Sequence, residues 1–103
     1  MTFNKELSKG VLTVALEGEL DEKSARETRE YLDKTIRSAE IRRLVLDFKK
    51  VGFMDSTGIG VLLGRYKLLQ ADGAELCVKN LNAQIDKVFR ISGLYQIIKA
   101  VSQ

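Results

Sequence analysis

Apolar and polar residues alternate through Val11-Leu12-Thr13-Val14-Ala15-Leu16-Glu17, a spacing that predicts a strand over residues 11–17 with Leu12, Val14 and Leu16 facing a core. A shorter strand over residues 2–7 precedes it. Ser8-Lys9-Gly10 between them is turn chemistry, so the two are expected to form a hairpin. The period then changes. Ala25, Thr28, Leu32 and Ile36 recur at helical intervals, while Glu22, Lys23, Arg26, Glu27, Arg29, Glu30 and Lys34 fall mostly on the other side, giving a surface helix that ends near Ser38. Asp21 or Ser24 can cap it, with Ser24 and Glu27 at capping-box spacing. Leu44-Val45-Leu46-Asp47-Phe48 is nearly continuous apolar, a run that suits a strand covered on both faces, as in a parallel sheet. A second helix carries Ile59, Leu62, Leu63, Tyr66 and Leu69 on one stripe and stops at Gly73. A strand over residues 76–78 follows. Asn82 can cap a third helix bearing Ile85, Val88 and Phe89, closed near Gly93, and residues 97–101 read as a last strand. A hairpin followed by alternating helices and strands predicts an α/β fold: one mixed β-sheet with parallel βαβ crossovers.

A length of 103 residues sets one domain, and 45% apolar residues suffice for one core. The chain has no Pro, and no linker, low-complexity segment or internal repeat divides it. No apolar run approaches the ~18–20 residues of a membrane span, and Met1-Thr2-Phe3-Asn4-Lys5-Glu6 lacks the order of a signal peptide, so a soluble, cytoplasmic protein without membrane contact is expected.

Composition removes most catalytic chemistry. With no His and a single Cys, Cys77, the chain can build neither an intrachain disulfide, nor a zinc site of the usual Cys and His ligands, nor a Ser–His–Asp or Cys–His triad. Cys77 itself reads as a small core residue in a strand. The net charge of +3 is scattered: Arg42-Arg43 and Lys49-Lys50 are its adjacent pairs, and no aromatic residues interleave with basic ones as single-strand binders require. No nucleic-acid partner, cofactor or enzymatic activity is expected.

The chemistry that remains lies in Phe53-Met54-Asp55-Ser56-Thr57-Gly58-Ile59-Gly60, between an apolar strand and an amphipathic helix. Asp55, Ser56 or Thr57 can cap that helix, and a hydroxyl at such a junction lies where unpaired N–H groups tolerate an added phosphate. Gly58 and Gly60 in a first helical turn cost roughly 1 kcal/mol each against Ala. Close approach of a neighbouring strand or of a docked partner would explain them. The run is not a nucleotide-binding loop, since it lacks the Lys of GxxxxGK[ST] and the third Gly of GxGxxG.

The stretch from Phe53 to Lys67 resembles the signature of the STAS family, the anti-sigma factor antagonists, and is most like its sporulation-type members, which control sigma F. Gly18-Glu19-Leu20-Asp21, Val88-Phe89-Arg90-Ile91-Ser92-Gly93-Leu94 and the order of elements extend the likeness over nearly the whole chain, as a single STAS domain over residues 1–103 with helices mainly on one face of the sheet. The family pattern adds a final helix after the last strand, for which almost no residues are left before Gln103, so that helix is expected to be absent or truncated here.

The resemblance implies function as well. Such proteins bind a cognate anti-sigma factor, which is also a serine kinase, and thereby free a sigma factor. The kinase phosphorylates the Ser that immediately follows Asp, here Ser56, and a serine phosphatase reverses this. Ser56 is then the phosphoacceptor, and Asp55 orders the loop or pairs with a partner cation. Thr57 is a second hydroxyl and helix cap, and Gly58, Ile59 and Gly60 belong to the docking face. Gly18, Glu19, Leu20 and Asp21 form a neighbouring loop that shares it. A stress-response antagonist of the same mechanism, or a STAS scaffold that is not phosphorylated, are the alternatives.

Overall fold

A computed structural model describes residues 1–102. The hairpin pairs β1 (Thr2–Ser8) with β2 (Val11–Leu20), and α1 (Ala25–Arg37), β3 (Arg43–Met54), α2 (Ser56–Ala71), β4 (Glu75–Lys79) and α3 (Ala83–Ser92) follow. A short 3-10 turn over Leu94–Gln96 leads into β5 (Lys99–Ala100). Lys9 and Gly10 both have positive φ (51° and 79°), the two-residue turn whose twist matches that of its strands.

The five strands lie in the order β1-β2-β3-β4-β5, β1 antiparallel to β2 and all other pairs parallel. Each crossover therefore steps in the same direction along the sheet. Because such crossovers are right-handed, all three helices fall on one face. Leu12, Val14 and Leu16 of β2, Leu44, Leu46 and Phe48 of β3, and Leu76 and Val78 of β4 meet Leu32, Leu62, Ile85 and Phe89 of the helices in one core.

The run Leu44-Val45-Leu46 is buried on both faces of the strand, as its continuous apolar character implied, although the helices cover only one of them. Val45 and Cys77 are buried on the opposite face. They are register partners, and the side chains of Arg43, Glu75 and Lys99 surround the thiol. Burial, with Glu75 beside it, pushes the Cys77 thiol up, so it is the small inert core residue expected of it.

Four expectations change. β3 runs six residues past Phe48, to Met54, because register shifts opposite Ala15/Glu17 and Gly18/Glu19 break the alternation; its buried positions there are Phe48, Val51 and Met54. Gly18-Glu19-Leu20 is correspondingly the end of β2 and not a loop, with Gly18 at φ +134°. The last strand shrinks to two residues, since the 3-10 turn buries Leu94 and carries the chain to Ile98, also buried. The buried face of α2 is Gly58, Val61, Leu62, Arg65 and Leu69, whereas Ile59, Leu63 and Tyr66 flank it half-buried.

Arg65 is thus an interior cation, 7% exposed, with Nε 2.9 Å from Asp33 Oδ1 on α1. The two atoms lie off the line of a good hydrogen bond, so the attraction is chiefly electrostatic. Burial lowers the guanidinium's pKa and Asp33 opposes that. Asp33→Ala strands the cation, and thermal and urea unfolding should show a loss of about 1.5–3 kcal/mol, reduced where water reaches it through the partly exposed Asp33 side.

Candidate functional site

The carboxyl ends of β2 and β3 meet under the first turn of α2. Leu20 pairs with Met54, and the Asp55 N–H donates to the Leu20 carbonyl at 3.3 Å. Of the three possible caps, Asp55 is the one formed: it is extended (φ −104°, ψ −171°) and its Oδ1 accepts the Thr57 N–H at 2.9 Å. The Gly58 N–H donates to the Asp55 carbonyl at 3.0 Å. Thr57 is therefore not the cap. Of the unpaired N–H groups expected at this junction, those of Thr57 and Gly58 are taken by Asp55.

Ser56 is the first residue of α2 and is exposed. Among the described residues its hydroxyl makes no hydrogen bond, and it directly follows the capping Asp55. An exposed hydroxyl on a helix start, in a chain without His to activate it, is suited to receive a group from another protein's active site.

The two glycines differ. A Cβ on Gly58 would stand 2.4 Å from Met54 Cγ and 3.2 Å from Leu20 Cγ, so this glycine lets the strand ends pack under the helix. A Cβ on Gly60 would meet nothing. No neighbour within the chain requires that glycine.

Gly18–Asp21 does border the junction, but unevenly. Leu20 is fully buried beneath Gly58, while Glu19 is exposed. Gly18 lies back along the strand, opposite Val51 and against Met1. Asp21 caps the turn into α1: its Oδ1 accepts N–H groups of Lys23 (3.0 Å) and Ser24 (3.2 Å). The Ser24–Glu27 capping box is not formed. Ser24 Oγ donates to the Glu19 carbonyl at 2.6 Å, and Glu27 instead pairs with the Met1 ammonium at 2.7 Å.

Sequence reasoning missed what lies on the other flank. Ser56, Ile59, Gln84, Lys87, Val88, Ile91 and Ser92 line an open cleft of about 580 Å³ between α2 and α3. Ile91 is 74% exposed, and an apolar residue off the buried stripe of α3 was the available signal. Asn82 caps α3 as expected, Oδ1 accepting the Ile85 N–H at 2.9 Å, and Gly93 closes it at φ +80°.

At the far end of α3, Tyr95 donates its hydroxyl to Asp86 Oδ1 (2.6 Å) and Arg90 Nε donates to Asp86 Oδ2 (2.9 Å). Tyr95 and then Arg90 hold the Asp86 carboxyl below its ordinary value. Burial and Asp86 push the Tyr95 phenol from 10.0 up to about 12. Raised in the folded state, the phenol contributes stability that is complete below pH 10 and is lost as the pH rises toward 12. Tyr95→Phe should therefore show a flatter fall in urea midpoint between pH 9 and 12 than the parent; parallel curves would exclude the phenol as the cause.

Among the described residues no group of three His, Cys, Asp or Glu side chains is placed to hold a metal, and no helix is long and apolar enough to cross a membrane. The fold is a mixed sheet with all helices on one face and an exposed serine on the helix start at its carboxyl edge. The chain belongs to the STAS domain family, whose match spans residues 2–103. It is similar to the anti-sigma F factor antagonist of Paenibacillus polymyxa, 40% identical over 95% of this chain and 84% of that protein. It is also similar to the anti-sigma-B factor antagonist of Bacillus subtilis, 37% identical over 84% of this chain and 78% of that protein. The structure of the anti-sigma factor antagonist SpoIIAA in its unphosphorylated form superposes with a TM-score of 0.83 at 27% identity, covering 99% of this chain and 90% of that one. These relatives are regulatory binding proteins and not enzymes.

Proposed function

We propose that this protein is a cytoplasmic anti-sigma factor antagonist that binds an anti-sigma factor with serine kinase activity, releases a sigma factor, and is switched off by phosphorylation of Ser56. A serine phosphatase restores it. The observation that carries the reading is the exposed Ser56, whose hydroxyl makes no hydrogen bond among the described residues, on a helix start where Asp55 holds the Thr57 and Gly58 N–H groups. Asp55 fixes the junction. Ser56, Thr57, Ile59 and Gly60, with Glu19 and Asp21 beside them, present the docking face, whereas the buried Leu20 and Gly58 shape it from below and Gly18 supports the strand end. ATP chemistry belongs to the partner.

The likeness to the antagonist from Paenibacillus polymyxa favours a sigma F system and sporulation. The likeness to the Bacillus subtilis protein supports a second reading, a stress-response sigma B system working by the same mechanism. Incubation with Mg-ATP and either the anti-sigma F factor of Paenibacillus polymyxa or the anti-sigma-B factor of Bacillus subtilis, followed by intact mass and phosphosite mapping, tests both. One phosphate, on Ser56, is the expected product. Firm binding without phosphate would leave a STAS scaffold, and the faster of the two kinases identifies the system.

A further inference from the structure

β3 pairs with β4 only as far as Asp47 opposite Lys79, so its last residues run past β4 with that edge lacking a strand. Two side-chain amides from the start of α3 take the place of a strand there. Asn82 Nδ2 donates to the Val51 carbonyl (3.3 Å) and the Gly52 carbonyl (3.1 Å). Gln84 meets Met54 twice: the Met54 N–H donates to Gln84 Oε1 at 3.1 Å, and Gln84 Nε2 donates to the Met54 carbonyl at 2.9 Å. The backbone fixes the orientation of this amide, since a peptide N–H only donates and a carbonyl only accepts. Gln84 offers one donor and one acceptor, as a neighbouring strand residue would.

We propose that Gln84 is a positioning residue for Ser56, an inference that rests on Ser56 being the phosphoacceptor. Met54 is the residue before the cap. Its side chain is fully buried under Gly58, and the next residue, Asp55, holds the first turn of α2. On the β2 side the junction is tied by the parallel ladder, in which Leu20 pairs with Met54, and just past it by the Asp55 N–H donating to the Leu20 carbonyl at 3.3 Å. On the α3 side it is tied by both bonds of Gln84. Removing these frees the strand end to shift, and with it the Ser56 hydroxyl. Phosphoryl transfer requires the attacking oxygen in line with the γ-phosphate, where a misplacement near 1 Å costs on the order of 100-fold in rate.

Two variants separate this role from general loss of structure. Gln84→Met keeps length and removes both hydrogen bonds. Gln84→Glu keeps the acceptor but sets a carboxylate oxygen against the Met54 carbonyl; protonated, it regains a donor and can restore the pair. Native-state hydrogen exchange should show Met54 and Asp55 losing protection in both variants at pH 7, with Leu46 unchanged. At pH 4 the protection, corrected for intrinsic exchange, should return in Gln84→Glu and not in Gln84→Met. With the kinases named above, at a temperature where each variant is fully folded, kcat for Ser56 should fall about tenfold or more in both. A parent phosphorylated on Ser56 beside variants with kcat within twofold of it would overturn the positioning role alone. Unchanged protection at Met54 would do the same. A parent that takes no phosphate overturns the phosphoacceptor reading, and the positioning role with it.

Discussion

Phosphorylated on Ser56, the protein is expected to bind its anti-sigma partner several hundred-fold more weakly or worse, measured by titration calorimetry of the two forms against the same partner. The added group carries about −1.5 to −2 charge near neutral pH. A helix start could absorb that charge into its free N–H groups, but here Asp55 already accepts from Thr57 with its side chain and from Gly58 with its carbonyl. With these two N–H groups taken, the dianion is expected to stand outside the turn, close to Asp55, on the surface proposed to face the partner. Repulsion and desolvation of roughly 3–4 kcal/mol at a fitted interface give the expected loss. Ser56→Asp should reproduce only part of it, with one charge and fewer acceptor oxygens, while Ser56→Ala should bind as tightly as the parent and take no phosphate. Equal affinities of the phosphorylated and unphosphorylated forms would sink the switch.

Adding one methyl group should have opposite effects at two positions two residues apart. In Gly58→Ala the new Cβ meets Met54 Cγ at 2.4 Å and Leu20 Cγ at 3.2 Å, and both side chains are fully buried, so neither can swing away without opening the end of the core. Overpacking of this kind costs about 1–3 kcal/mol. In Gly60→Ala the Cβ enters open space, and replacing a mid-helix glycine gains up to about 1 kcal/mol. Urea midpoints should thus move down for the first and up for the second. On the proposed docking face the stabilised Gly60→Ala variant should bind the partner less well, so that stability and binding part company at this residue. A stability loss in Gly60→Ala would mean that something within the chain needs that glycine.

The order of elements was readable because each rests on local pattern: the alternation of Leu12, Val14 and Leu16, the helical spacing of Ala25, Thr28, Leu32 and Ile36, the cap at Asn82 and the stop at Gly93. The misses have tertiary causes. Phe48, Val51 and Met54 fit no period of two because the bulges that space them belong to the pairing with β2. The interior place of Arg65 has no local signal, because its partner, Asp33, lies 32 residues back, on another helix. Ser24 and Glu27 had capping-box spacing, but the Glu19 carbonyl and the Met1 ammonium, both remote from the helix, compete for their side chains. At the site, the motif located Ser56 and Asp55, and it did not choose among three possible caps; that choice required the backbone angles of Asp55. Gln84 carries no pattern at all, since a lone amide becomes informative only when a strand edge is found waiting for it.

The strand order β1-β2-β3-β4-β5 never turns back on itself. Open α/β sheets that bind nucleotides do so in the crevice that forms where the winding reverses, between loops that diverge to opposite faces. A sheet wound in one direction has no such crevice. A glycine-containing strand-to-helix junction, which in a doubly wound protein would line a nucleotide pocket, is here left at the open edge of the sheet, beside the cleft between α2 and α3. On the function proposed above, the same few residues that would cradle a phosphate in one topology are, in this one, offered up to an enzyme that brings the phosphate with it.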